Sequence, residues 1–236
     1  MAIFRLGDRS DFPPAEHAGR DGLLAVGGDL SPRRLLRAYG RGIFPWFSEG
    51  EPILWWSPDP RFVLFPVEFH AGSSLEKIMR CGVFSLTFDR AFSEVIDGCA
   101  EPRPGQEGTW ITTAMRDAFI NLHRLGYAHS LEAWLNGKLA GGVYGISLGR
   151  CFFAESMFHR ADNASKVALA VLALALSKMD FAFIDCQIPS PHLADRGARS
   201  ISRRQYLDLL RNGLASRTVR GDWGGMLPLG ALELFS

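Results

Sequence analysis

Two regimes of apolar and polar residues meet near residue 62. Up to there the apolar positions keep no steady period, because Gly and Pro interrupt every run. One helix stands out, with Ser31 as N-cap, Pro32 in the first turn and Gly40 as its stop. After it, RGIFPWFSEGEPILWWSPDPRF sets Trp46, Trp55 and Trp56 among prolines and glycines, which forbids a long regular element. A small, loop-rich N-terminal domain over residues 1–62 is expected.

Beyond residue 62 the periods become regular. Ser74 is expected to cap a short helix holding Leu75, Ile78 and Met79, and VFSLTF (83–88) reads as a strand. Asp89 is expected to cap a helix with Phe92, Val95 and Ile96 turned inward. A polar loop, EPRPGQEGTW, leads to a helix capped by Thr112 and stopped by Gly126. AHSLEAWL and KLAGGVYGISLG then meet across Asn136-Gly137, a pair of residues that tolerates the left-handed backbone of a tight hairpin. Gly149-Arg150 turns into the strand CFFAESMF. NASKVALAVLALALSKM reads as a buried helix, FAFIDCQI as a strand, and Ser202 as the cap of a last helix ended by Gly213.

Composition narrows the class. With 47% hydrophobic and 22% charged residues, 236 residues can bury a substantial core. A net charge of +1 gives no field strong enough to bind a polyanion by itself. The arginines nevertheless cluster, in SPRRLLRAYGRG and SRRQYLDLLRNGLASRTVRG, either as solvated helix faces or as a phosphate-contacting surface. The apolar run at 167–176 is too short to span a bilayer, and the first residues lack the apolar core of a signal peptide. Four widely spaced cysteines without a C-x-x-C pair argue against a disulfide framework or metal site, and the histidines show no metal-ligand spacing. A cytoplasmic protein with no membrane contact, metal or cofactor is expected.

The chemistry concentrates in FAFIDCQIPSPHL, where Asp185 and Gln187 interrupt an apolar strand. Alternation puts both on one face, with Cys186 opposite, and burial of either is costly unless it is bonded. They form a polar site, or else bond each other or a loop backbone. Glu155, in the strand CFFAESMF, is a second acid among apolar residues, and its plainer role is an ion pair with a core arginine. Trp46 and Trp110 lie in irregular segments as core residues or as stacking faces for a base. His192 fits a structural hydrogen bond better than catalysis.

After residue 82 the order β-α-α-β-β-β-α-β-α is that of GNAT-type N-acyltransferases, in which splayed central strands form a slot for acyl donor and amine. In that fold a Gly-rich loop before a helix cradles the phosphates of an acyl-CoA. Here the stretch is Arg160-Ala161-Asp162-Asn163-Ala164-Ser165, with no glycine and with an acid where a pyrophosphate would lie. An acyl-CoA-dependent N-acyltransferase is therefore the weaker alternative, and a non-catalytic RNA-binding module needs neither the Asp185/Gln187 pair nor an apolar slot.

GLLAVGGDLSPRRLLRAYGRGIFPWFSEGEPILWWSPDPR closely resembles the N-terminal signature of the leucyl/phenylalanyl-tRNA–protein transferase family. EGTWIT, HSLEAW, GGVYGISLG, FFAESMF, NASK and IDCQ-x4-H-x4-G continue the match in order, over roughly residues 20–212. The resemblance implies a mixed α/β (α+β) chain with a GNAT-like acyltransferase domain over residues 63–236. It implies a cofactor-free aminoacyltransferase that moves Leu, Phe and less readily Met from aminoacyl-tRNA to proteins beginning with Arg or Lys, marking them for degradation by the N-end rule; a monomer is expected. It further implies that Asp185 orients Gln187, that Gln187 engages the attacking amine, and that Glu155 helps hold the acceptor's first residue. Trp46 and Trp110 would grip the terminal adenosine. Val143, Phe152, Met157, Leu172 and Ile184 would line the donor side-chain pocket. Val143 and Leu172 are smaller than the Met and Phe associated with those positions, and Ser190 stands where Asn is expected.

Overall fold

The computed structural model describes residues 3–7, 10–102 and 109–226. Most of the expected loop at 101–110, including Glu107 and Gly108 of its motif, lies outside the described residues, as does the chain after 226. The irregular N-terminal stretch forms a small sheet of β1 (Phe4–Leu6), β2 (Leu23–Gly27), β3 (Phe44–Pro45) and β4 (Leu54–Trp56) in the order β1-β2-β4-β3. The α-helix of this region among the described residues, α1 (Pro32–Tyr39), starts where the serine-proline pair predicts. The Ser31 side chain accepts from the Arg34 backbone N–H, and Gly40 closes the helix.

The remaining strands build one larger sheet in the order β11-β5-β10-β9-β8-β7-β6. Its members are β5 (Arg61–Leu64), β6 (Ser85–Phe88), β7 (Ala128–Leu135), β8 (Lys138–Leu148), β9 (Cys151–His159), β10 (Phe183–Gln187) and β11 (Arg199–Ile201). The helices are α2 (Ser73–Arg80), α3 (Phe92–Ala100), α4 (Thr113–Arg124), α5 (Ala164–Lys178), α6 (Pro191–Ala194), α7 (Arg203–Leu214) and α8 (Trp223–Met226). The order expected after residue 82 is present, with the short α6 and β11 added before the last long helix. The change of pattern near residue 62 falls inside β5, which pairs with both β10 and β11. The two regions also share a core. Leu35, Tyr39 and Trp55 pack in one cluster with Val63, Phe92, Phe119, Tyr144 and Tyr206.

On the opposite face α5 is buried along most of its length, against β7, β8 and α2. Its nearly uniform Ala, Leu and Val composition suits a helix covered on all sides. No helix among the described residues is long and apolar enough to cross a membrane. Asn136 and Gly137 both take positive φ, 51° and 75°, and join β7 to β8 as the dipeptide predicts.

Three local expectations need correction. The α2 helix begins at Ser73 after Gly72, so Ser74 lies inside its first turn rather than capping it. Asp89 does not cap α3. It adopts a left-handed backbone with φ of 56° and accepts the backbone N–H groups of Ser130 and Trp223, tertiary partners that outcompete the local role. Gly213 sits within α7 and does not end it, and a side chain there would collide with the Cys151 Sγ.

Candidate active site

The site forms where two neighbouring strands part. β9 and β10 run parallel through the pairs Phe183–Cys151, Ile184–Phe152 and Asp185–Phe153, and there the ladder stops. At the same level each strand is irregular against its other neighbour. In β9, Tyr144 pairs with Ser156 and Gly145 with Ala154, so Glu155 is left as a bulge. In β10, Asp185 faces Val63 and Gln187 faces Phe62, so Cys186 is the extra residue. Bulges bend a strand and re-aim its side chains. A cavity of about 350 Å³ opens between the parted strands, with Val143, Met157 and Leu169 on its apolar wall. Glu155 and Gln187 face it from one side, and Trp46 and Trp110 stand at its edge.

Behind the cavity lies a chain of polar contacts. Glu155 is half-buried, and its Oε1 accepts from the Tyr39 hydroxyl at 2.8 Å and from the Gln187 Nε2 at 3.0 Å. Gln187 has a left-handed backbone, φ 64°, and its N–H donates to the Asp185 Oδ1 at 3.0 Å. Asp185 is fully buried and bidentate with Arg61, Nε to Oδ1 at 2.8 Å and Nη2 to Oδ2 at 2.7 Å. The Tyr206 hydroxyl donates to its Oδ2 at 2.7 Å. The Arg61 guanidinium lies over the rings of Phe44, at 4.8 Å, and Tyr206, at 4.5 Å.

This geometry corrects the expected relay. Asp185 does not hold the Gln187 side chain. Both its oxygens are taken by Arg61 and Tyr206, and what it receives from Gln187 is the backbone N–H. The bulge at Cys186 and the left-handed turn at Gln187 send the side-chain amide to Glu155 instead. Glu155 in turn is not the partner of the core arginine, which is committed to Asp185. Burial, with a contribution from the Asp185 charge, lifts the Glu155 carboxyl to about 8, against the hydrogen bonds of Tyr39 and Gln187 and the charge of Arg61.

The structure brings together Trp46, Trp110, Val143, Glu155, Met157 and Gln187 around the cavity. It puts Phe152, Leu172 and Ile184 elsewhere, in the core layer beneath the wall and each almost wholly buried. Leu169, one turn before Leu172 on α5, takes the lining position instead. Ser190 reaches the cavity, whereas His192 does not line it, and burial lowers the His192 pKa. Trp46 is 42% exposed and tilts against Trp56, whose indole N–H donates to the Trp46 carbonyl. An indole this exposed has a free face to offer a ligand. At the start of α5, Asn163 takes a left-handed φ of 67° without a side-chain cap, and Arg160 is drawn off to Glu101.

Sequence reasoning missed Tyr39, Arg61 and Tyr206. A signal existed for Arg61, because a guanidinium in the apolar run RFVLF requires a carboxylate partner, and Asp185 in FAFIDCQI equally requires a cation.

An apolar slot closed by a carboxyl and an amide, with tryptophans at its edge, suits an enzyme that holds an apolar side chain against a reacting polar end. Residues 63–211 match the family model described as leucyl/phenylalanyl-tRNA protein transferase, and residues 28–59 match that of its N-terminal domain. The chain belongs to this family. The leucyl/phenylalanyl-tRNA–protein transferase of Syntrophobacter fumaroxidans is 54% identical over 95% of this chain and 97% of its own. That of Stutzerimonas stutzeri is 55% identical, covering 92% of this chain and 96% of its own. That of Pseudomonas fluorescens strain Pf0-1 is 58% identical, with 86% and 91% covered.

Proposed function

We propose that this transferase moves leucine or phenylalanine, and less readily methionine, from an aminoacyl-tRNA to the α-amine of proteins beginning with Arg or Lys, marking them for degradation. The observation that carries this reading is the cavity opened by the paired bulges, apolar on one wall and ending at Glu155 and Gln187. Its volume of about 350 Å³ suits a small ligand. The aminoacyl side chain would lie against Val143, Met157 and Leu169, with the buried Phe152, Leu172 and Ile184 setting the depth from behind. Such a slot discriminates by size only weakly, by about 1–3 kcal/mol per methylene, which fits a preference graded across several apolar side chains.

The ester of an aminoacyl-tRNA is already activated, so its aminolysis depends chiefly on positioning. The amide nitrogen of Gln187 is engaged by Glu155, which leaves the amide oxygen to accept from the incoming amine. Asp185, fixed by Arg61 and Tyr206, acts as a positioning residue that holds the Gln187 backbone in its turn. An acceptor beginning with Arg or Lys carries two positive charges on one residue, and Glu155 is the carboxyl facing the cavity that attracts them. Trp46 and Trp110 would stack on the terminal adenosine. We read the splayed strands as a GNAT-like slot in a catalytic domain, with the small N-terminal region supplying Tyr39 from α1, Phe44 from β3 and Trp46 just after it, from outside that domain.

The test is transfer of labelled leucine to a peptide beginning with Arg. Leucyl-tRNA should serve as donor without ATP or metal, and leucyl-CoA should not. Transfer from leucyl-CoA alone would restore the acyl-CoA reading.

A further inference from the structure

Glu155 is the residue that the β9 bulge throws out of the ladder, and it faces the cavity. One of its oxygens, Oε1, carries both the Tyr39 and the Gln187 hydrogen bonds. That arrangement fixes the plane of the carboxyl and leaves Oε2 as the edge for a further partner. The groups that face it are Tyr39 from α1, Tyr144 from β8, Asp185 and Gln187 from β10 and, behind them, Arg61 from β5. Among these, Asp185 and Arg61 neutralise each other at 2.7 Å, and Tyr39 and Tyr144 are held protonated chiefly by burial. Gln187 can accept a hydrogen bond but takes up no proton near neutral pH. Glu155 is thus the one group of this set, lining the cavity, that can both accept and return a proton.

Resting on the proposed transfer reaction, we propose that Glu155 is a catalytic residue that takes the proton of the acceptor's α-amine as the amine attacks the aminoacyl ester. The nitrogen lone pair forms the N–C bond, the carbonyl becomes an oxyanion, and the nitrogen's proton passes to Glu155. Collapse of the intermediate breaks the bond from the carbonyl carbon to the ribose oxygen, and Glu155 returns the proton to that oxygen as it leaves as a hydroxyl. The carboxylate is regenerated, and no other reactant is consumed. Burial lifts the Glu155 carboxyl to about 8, near the operating pH, where a group both takes and returns a proton readily.

The experiment measures single-turnover transfer from leucyl-tRNA across pH 6–9.5, with acceptor peptides beginning with Arg or with its neutral isostere citrulline. In Glu155→Gln, whose folding is checked by its thermal melt, the chemical step should fall about 10²–10⁴-fold, equally for both peptides. Below pH 7.5 the slope of log kcat/KM against pH should drop from about two to about one, because only the amine still titrates. Tyr39→Phe keeps the carboxyl but removes a hydrogen bond that favours its ionised form. Its profile should therefore move to higher pH. If Glu155→Gln raises only KM, and only for the Arg peptide, the residue is a side-chain clamp and the proposal is overturned. An unshifted Tyr39→Phe profile overturns it as well. If the wild type transfers nothing from leucyl-tRNA, the functional reading itself fails, and this step with it.

Discussion

Asp185 and Glu155 stand on neighbouring parallel strands near the point where β9 and β10 separate, yet their surroundings differ completely. Asp185 has a donor for each oxygen: Arg61 twice, Tyr206, and the Gln187 N–H. Glu155 has two donors on a single oxygen and borders a cavity. The first is an ion pair closed on all sides, and the second is a carboxyl whose proton is poised near 8. Two acids of similar intrinsic strength are thus divided by environment into a closed ion pair and a carboxyl that borders the cavity, the kind of division by which pairs of carboxylates can take separate roles. The difference comes down to one arginine and to which residue each bulge displaces.

Removing the cation is the most damaging way to break this contrast. Arg61→Met leaves Asp185 buried without its counter-charge and should cost about 3–5 kcal/mol of stability, read from denaturant unfolding. Replacing both partners, Arg61→Met with Asp185→Leu, should recover much of that loss, because a matched apolar pair leaves no stranded charge. If the single variant unfolds at the wild-type denaturant concentration, Asp185 has another partner and the support is not Arg61. Next in size is Gln187→Ala, which removes a hydrogen bond to Glu155 but no charge. Transfer should slow by an amount equivalent to about 1.5–3 kcal/mol with the fold intact, since the backbone N–H that Asp185 holds is still present. A rate unchanged at saturating peptide would detach Gln187 from the reaction.

Neither carboxyl is expected to hold the donor nucleotide, so a variant at the cavity's edge sharpens the comparison from outside. Trp46→Ala should weaken donor use by about 1–3 kcal/mol if one base stack is lost, seen as a higher KM for leucyl-tRNA with kcat retained. Raised salt should weaken full-length tRNA more than a minimal aminoacyl-adenosine donor. An unchanged donor KM in a folded Trp46→Ala variant would make the exposed ring a neighbour of Trp56 and nothing more.

Local chemistry was legible where a residue acts on its own segment. Ser31-Pro32, Thr112, Ser202 and Asn136-Gly137 each place a cap or turn within a few residues of themselves, and the structure has those caps and turns. The cavity was legible only in part. Glu155 and Gln187 could be singled out as polar residues in apolar strands, but alternation assumes an unbroken strand, and both strands bulge at the site. A one-residue irregularity redirects every side chain beyond it. The Asp185 partner lies 124 residues away in Arg61, a separation over which no local pattern reports. Phe152, Leu172 and Ile184 show the same limit, because an apolar side chain carries no mark of whether it lines a cavity or the layer behind it.

The smallest expected effect isolates the Glu155 side of the comparison without any substrate. A carboxyl whose folded pKa, about 8, lies above its unfolded value of about 4.3 binds more protons in the folded state. Its contribution is therefore fully present below the unfolded value and is lost as pH rises through about 8. The cavity admits solvent to the carboxyl, so the loss should be on the order of 1 kcal/mol, well short of the full linkage value. Glu155→Gln removes the titration and keeps an oxygen for Tyr39 and Gln187. Its stability should match that of the wild type near pH 5 and exceed it by that amount at pH 8.5, in urea unfolding curves recorded at each pH. Arg61 and Asp185 are unchanged in this variant, so the difference reports the free proton at Glu155 and not the closed ion pair beside it. Parallel wild-type and variant curves across the range would mean that Glu155 stays ionised throughout, and the contrast between the two acids would then rest on hydrogen bonding alone.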